Sequence, residues 1–254
     1  MASEELKAAL AAARAASEVI RNYYRKNPGV RLKSDASPVT EADVLSEEAI
    51  RATLSERFPD YGFCGEETGT QRSGAENLWL VDPIDGTKAF VREIPFFSTQ
   101  IALLRAGRLV LGVSSAPVYG ELAWAEAGGG AFLNDRPIRV SRVAGLADAA
   151  LSTGNLKGAV GTPRWERLGQ LIAAAGYSRG YGDFVHYHLL ARGAIEIVIE
   201  SNVNILDIAA LSVIVREAGG SFTDLEGREV GLDTASVLAT NGALHATVLE
   251  ALKS

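Results

Sequence analysis

A single cysteine, Cys64, stands in the whole chain, so no internal disulfide framework is available and a reducing cytoplasm is the expected setting. Long apolar runs are also missing. None reaches the roughly 18 residues of a membrane-spanning helix. The segment Ala2-Ser3-Glu4-Glu5-Leu6-Lys7 starts acidic and has neither the basic start nor the apolar core of a signal peptide. Positive charge is in short supply: 25 Lys and Arg against 31 Asp and Glu give a net charge of −6. That balance argues against a nucleic-acid or anionic-membrane surface, because both call for basic patches. What is present, 47% apolar and 22% charged residues, is the composition of an ordinary soluble globular protein. Such a chain buries most of its surface without staples, as one large domain or as two smaller ones around a shared cleft.

The texture changes along the chain. Residues 4–26 are rich in Ala, Leu, Glu and Arg and predict a long first helix, ending at Asn27-Pro28-Gly29. Thr40-Glu41-Ala42-Asp43 is a capping signal for a second helix running to about Phe58-Pro59, with Asp43, Ile50 and Leu54 on one inward stripe. Leu78-Trp79-Leu80-Val81 reads as a strand buried on both faces. From Ser98 to Val140, apolar runs alternate with turn signals, the pattern of an antiparallel meander. Beyond about residue 145, strand-like pieces (Ala194–Glu200, Ser221–Thr223, Ser236–Thr240) alternate with helical ones (Arg164–Ala175, Phe184–Arg192, Asp207–Ala218, Ala243–Lys253). The expected organisation is therefore an α+β half over 1–143 and an α/β half over 144–254.

Chemistry concentrates at Asp82-Pro83-Ile84-Asp85-Gly86-Thr87. A buried strand there delivers two carboxylates across a tight turn, and a helix beginning near Lys88 leaves N–H groups around Gly86 and Thr87 free to hold a phosphate. Carboxylates beside such a helix start suit a hard divalent cation bridging to phosphate oxygens. A plain type I turn fits the same residues. Taken alone, Asp207 reads as a helix N-cap before it reads as a ligand, and Glu66 as a solvated loop residue before a ligand. Together with Asp82 and Asp85 they make four carboxylates, which repel one another unless protonated or neutralised by metal.

Taken in order, Val39-Thr40-Glu41-Ala42-Asp43, Gly65-Glu66-Glu67, Trp79 to Thr87, Asp207-Ile208-Ala209-Ala210 and Glu217-Ala218-Gly219-Gly220 resemble the signatures of the inositol monophosphatase family. The resemblance implies a layered α-β-α-β-α sandwich, part α+β and part α/β, and a phosphomonoesterase. It implies two or three Mg²⁺ ions on Glu66, Asp82, Asp85, Asp207 and the Ile84 carbonyl. Glu66, Thr87 and Asp43 would be catalytic, the last two orienting and helping to deprotonate the water that attacks phosphorus in line. Asp85, Gly86, Thr87, Asp183, Glu200 and Asp207 would contact the substrate, a small phosphorylated metabolite. A homodimer and sensitivity to lithium are further implications.

Phe90 to Pro95, Tyr181-Gly182-Asp183-Phe184 and Val215 to Gly220 are similar to the histidinol-phosphate phosphatase branch of that family. An extra acid at Asp183 suits the cationic ammonium and imidazole of histidinol phosphate; Asp183 also reads as a cap for the helix that follows. Departures are Leu206, where the family usually has Trp, and Arg192. Specificity for inositol 1-phosphate, a bisphosphatase for fructose 1,6-bisphosphate or a nucleotide, and a non-catalytic binding protein are the competing readings. No basic cluster for a second phosphate stands out in the sequence. His186 and His188, two apart on a helix, are expected to diverge and not to share a metal. Cys64 reads as an inert small residue, Trp124 and Trp165 as packing, and Arg92 and Arg179 as phosphate contacts, subunit contacts or solvated surface.

Overall fold

The fold described is that of a computed structural model, and it covers residues 2–26, 29–32 and 38–253. Its first part runs α1 (Glu4–Tyr23), β1 (Val30–Leu32), β2 (Pro38–Thr40), α2 (Glu41–Arg57), β3 (Gly62–Gly65), β4 (Gly69–Gln71), β5 (Asn77–Asp85) and α3 (Thr87–Val91). The meander follows as β6 (Ser98–Arg105), β7 (Arg108–Ala116), β8 (Glu121–Glu126), β9 (Ala131–Leu133) and β10 (Arg136–Ile138). The last part is β11 (Ala150–Gly154), α4 (Pro163–Ala174), β12 (Tyr177–Arg179), α5 (Asp183–Ala191), β13 (Ile197–Ser201), α6 (Ile205–Glu217), β14 (Ser221–Thr223), β15 (Ser236–Thr240) and α7 (His245–Lys253).

Two large sheets organise these elements. An eight-stranded sheet has the order β10-β9-β8-β7-β6-β5-β3-β4, and a five-stranded sheet has the order β12-β11-β13-β15-β14. The first is antiparallel throughout except for the parallel β3–β5 pair. The second mixes parallel pairs at β11 with antiparallel pairs at β15. Helices α1 and α2 cover one face of the large sheet, and α6 covers the other, against β5 to β8. Helix α5 packs on α6, β13 and β15, while α4 and α7 close the far face of the small sheet. The result is the α-β-α-β-α sandwich expected from the sequence.

The run Leu78–Val81 is apolar on both faces because each face of β5 meets a different helical layer. Side chains alternate along a strand. Trp79 and Val81 accordingly join Leu6, Ala9, Ala13 and Ile50 under α1 and α2, and Leu78 and Leu80 join the core around α6. Helix α6 is buried from Ile205 to Val215 except at Asp207, as suits a helix between two sheets. It lies close to the large sheet: a Cβ built at Gly112 on β7 would run into the backbone of Ala210.

Some expectations are corrected. Helix α1 ends at Tyr23 rather than 26; Asn27 and Pro28 lie outside the described residues. Helix α6 opens at Ile205, capped by Asn204 through its Oδ1 (3.1 Å from the Leu206 N), so Asp207 is not the N-cap. Trp165 is 41% exposed and is not packing, whereas Trp124 stacks on Phe132 with ring centroids 4.1 Å apart. Asp183 makes no cap either. The cap of α5 is Gly182, and Asp183 follows it in the left-handed region at φ 47°. Among the described residues, no helix is long and apolar enough to cross a membrane.

Candidate active site

The spacing Asp-x-x-Asp has a geometric reason. In a regular strand, residues three apart point to opposite faces. Strand β5 does not turn at Asp82; it continues to Asp85 with a bulge. Asp82 faces Gln100 and Asp85 faces Ser98 across β6, three steps on one strand against two on the other. The extra residue shifts the phase by one, which brings both carboxylates to the same side. Pro83 sits inside the bulge, where its missing N–H breaks no ladder bond. Its carbonyl accepts from Thr99 Oγ1 at 2.8 Å, and the Ile84 N–H donates to Asp82 Oδ1 at 2.9 Å. Gly86 then takes φ 91°, and a side chain there would press on the Phe96 carbonyl. The segment is thus a bulged strand end and not the tight turn expected.

Asp207, at the third position of α6, completes the group. One carboxylate oxygen from each of Asp82, Asp85 and Asp207 lies within 4.8 Å of the others. The other side of Asp207 is used locally: its Oδ2 accepts the Asn204 N–H at 3.0 Å, a capping-box bond. Glu66, just past β3, is in hydrogen-bond contact with Asp82. Its own N–H donates to the Val81 carbonyl at 3.1 Å, which fixes it beside β5. Glu66, Asp82, Ile84, Asp85, Gly86, Thr87, Asp183 and Asp207 all line one cavity of about 360 Å³.

Crowding leaves a signature in the titration of these acids. Burial first, then the charges of Glu66, Asp207 and Asp85, hold Asp82 well above the usual carboxylate range. Asp85 is raised in the same way by burial and by Asp207, Asp183, Glu200 and Glu66. Burial raises Asp207 to about 6 despite the Asn204 N–H, and burial with Glu200 raises Asp183 to about 6. Carboxylates this close and this desolvated are stable as anions only with a cation among them. The donors are all hard oxygens, the set a small divalent cation prefers, so the residues present fit a metal.

Asp43 and Thr87 meet as the sequence suggested. Asp43, at 0% exposure, uses Oδ2 to accept Thr40 N–H at 2.8 Å and Thr40 Oγ1 at 2.6 Å, which caps α2. Its Oδ1 accepts Thr87 Oγ1 at 3.1 Å, and that hydroxyl also lies 3.0 Å from the Ile84 carbonyl. The capping role and the link to Thr87 therefore coexist, one on each oxygen. Burial raises Asp43, against the pull of the Thr40 and Thr87 hydrogen bonds.

Glu200 is held through both of its carboxylate oxygens. It is 4% exposed and does not line this cavity. Its Oε2 takes Tyr187 Oη at 2.7 Å and His186 Nε2 at 3.1 Å, and its Oε1 lies 3.4 Å from Asn155 Nδ2. Asn155 does line the cavity, as do Lys88 and Arg92, one helical turn apart on α3 and its cap. Neither Asn155 nor Lys88 stands out as a site residue in the sequence. His186 and His188 do diverge: the first faces Glu200, and the second faces Glu121 (2.9 Å) and Ser114 (2.9 Å). Arg192 pairs with the same Glu121 at 2.9 Å, and Arg179 lies against Tyr177 and the Ser178 carbonyl, away from the cavity. Cys64 accepts from Thr70 Oγ1 at 3.1 Å.

Comparison with known proteins places this geometry. The histidinol-phosphatase of Mycobacterium tuberculosis is 42% identical over 100% of both chains. The inositol-1-monophosphatase of Mesorhizobium japonicum is 35% identical over 96% of this chain and 93% of its own. Among solved structures, the extragenic suppressor protein suhB of Bartonella henselae superposes with a TM-score of 0.90 at 34% identity, over 99% of each chain. The family model described as the inositol monophosphatase family matches residues 1–254. The chain is therefore a phosphoric monoester hydrolase and belongs to the inositol monophosphatase family.

Proposed function

We propose that the protein hydrolyses a small cationic alcohol phosphate, with histidinol phosphate as the substrate, and that it uses Mg²⁺ to do so. The observation that carries this reading is Asp183. An acid outside the Asp82–Asp85–Asp207 group faces the same cavity, and it makes no helix cap that would otherwise explain it. A carboxylate there suits an ammonium or imidazolium on the substrate. The 42% identity to a histidinol-phosphatase supports the same choice.

Glu66, Asp82, Asp85, Asp207 and the Ile84 carbonyl would hold two or three Mg²⁺. Bound there, the cations supply Lewis acidity toward phosphate oxygens and a lowered water pKa. The chain's own part is to position and to move a proton. Thr87 Oγ1, fixed between Asp43 Oδ1 and the Ile84 carbonyl, receives a hydrogen bond from the attacking water and relays its proton toward Asp43. Thr40 locks the other oxygen of Asp43, so only Oδ1 is available. Glu200 would act on the substrate through Asn155 and not by direct contact. A homodimer, and inhibition by Li⁺ at a Mg²⁺ position, belong to the reading on the family's account.

The test is phosphate release from a panel of esters, with Mg²⁺ and with a chelator. Histidinol phosphate is expected to give a higher kcat/KM than inositol 1-phosphate, and chelation to abolish release. The reverse order of substrates would overturn the specificity, and release from no ester would favour a binding protein. Asp183→Asn should cost histidinol phosphate roughly 10-fold or more in kcat/KM, the size of a lost charge-assisted bond of about 1.5–3 kcal/mol, and should leave inositol 1-phosphate nearly untouched. Equal losses on both esters would remove Asp183 from substrate recognition. A second reading, as a bisphosphatase, draws on Lys88 and Arg92, since both line the cavity and among the described residues neither is ion-paired. Fructose 1,6-bisphosphate in the same panel tests it.

A further inference from the structure

Helix α2 carries a second buried acid one turn after Asp43. Glu47 is 0% exposed. Among the described residues it has no cationic partner within salt-bridge distance. Its two oxygens are taken up by the segment that follows β3. Oε2 accepts the Glu67 N–H at 2.8 Å, and Oε1 accepts the Thr68 N–H at 2.9 Å together with the Thr68 hydroxyl. Gly65 lies directly against this carboxyl group, and a Cβ built there would collide with it.

A fully buried acid is expensive to keep, and three donors from one short segment are what compensate it. The segment it grips is the one that carries Glu66. Glu66 is tied to β5 at its own N–H, through the Val81 carbonyl, and Glu47 ties the next two N–H groups. Between these anchors the Glu66 side chain reaches Asp82. Gly65 supplies the room for the grip, which gives Gly65-Glu66-Glu67 a physical reason: a vacancy, a ligand and a held N–H.

We infer that Glu47 is a positioning residue for the cation site: through the 67–68 amides it sets the place of Glu66, so that one helix serves both Thr87 (from Asp43) and the Glu66 segment (from Glu47). This rests on the reading of Glu66 as a metal ligand. Outer groups that orient a ligand typically govern roughly 10–100-fold in metal affinity.

The experiment is calorimetric titration of Mg²⁺ into the wild-type protein and Glu47→Gln, with no substrate present, alongside amide hydrogen exchange at residues 67 and 68. The variant is expected to bind Mg²⁺ roughly 10–100-fold more weakly, to lose protection at those amides, and to show a larger change in Mg²⁺ dependence than in kcat at saturating Mg²⁺. Wild-type affinity in a folded Glu47→Gln overturns the inference, as does weaker binding with protection at 67 and 68 intact. If Glu47→Gln does not fold, Thr68→Ala decides: it removes only one of the three donors, and a few-fold weaker affinity supports the inference while an unchanged one overturns it. Failure of the wild type to bind Mg²⁺ at all would instead sink the metal reading of the site.

Discussion

Asp85→Asn will lower kcat/KM for phosphate release by roughly three orders of magnitude or more, and it will raise the Tm of the metal-free protein. The two effects have one cause. Asp85 is held above the usual carboxylate range by burial and by four other acids, so as an anion it is a liability to the empty fold. An amide of the same shape removes that repulsion. The same change deletes an anionic ligand, and the cost should exceed the roughly 10–100-fold of outer-shell changes. Phosphate-release kinetics with saturating Mg²⁺ and thermal melts in chelator measure the two halves. A rate near that of the wild type would end the ligand assignment, and a lowered metal-free Tm would end the repulsion account.

The second large effect is a stability that depends on pH in opposite ways with and without cation. Asp183 and Asp207 have folded values of about 6 against an ordinary 3.8, and Asp82 and Asp85 are also held well above the ordinary range. For a raised acid the folded state binds the proton more tightly than the unfolded chain does. The stability this contributes is complete below the unfolded pKa and is lost as pH rises through the folded one. Metal-free protein should therefore lose stability from about pH 4 to beyond pH 6 through these groups. At pH 8 a cation takes over the task of the protons. Mg²⁺ at about 100 times its Kd adds about 2.7 kcal/mol, a rise of roughly 5–10 °C in a chain of this size. At pH 5 the gain should shrink, because protons and Mg²⁺ compete for the same oxygens. Calorimetric melts at both pH values, with Mg²⁺ and with chelator, check this; an equal gain at both would show that these acids are not what Mg²⁺ engages.

What the sequence disclosed follows from how local each signal is. The meander from Ser98 to Val140 was legible because its turns are written in Gly, Pro, Asn and Asp. Ser221–Thr223 and Ser236–Thr240 were found to the residue. Strands β1 to β4, β11 and β12 were missed. Each has three to five residues and little alternation, and their pairing is decided by distant partners. At the site, the four acids and the Asp43–Thr87 link were visible as motifs. The bulge was not, because a phase shift against β6 is a property of two strands. The surroundings of Glu200 are hidden for a similar reason: His186, Tyr187 and Asn155 close around it only once β13, α5 and the end of β11 are assembled. Glu47 does carry a signal in the sequence, as it occupies the same inward stripe of α2 as Asp43, Ile50 and Leu54, where an acid needs a reason.

Helix α6 lies so close to β7 that Gly112 has no room for a side chain, and it brings Asp207 to acids that all precede β6. Ribosomes build the chain from the other end. Glu66, Asp82 and Asp85 leave the ribosome well before Asp207, and until α6 follows, one apolar face of the eight-stranded sheet lies open. During that interval the nascent protein has an incomplete acid cluster and an unburied surface together. If these acids hold a cation, a ribosome-bound chain halted before residue 205 should gain less stability from Mg²⁺ than the finished molecule does.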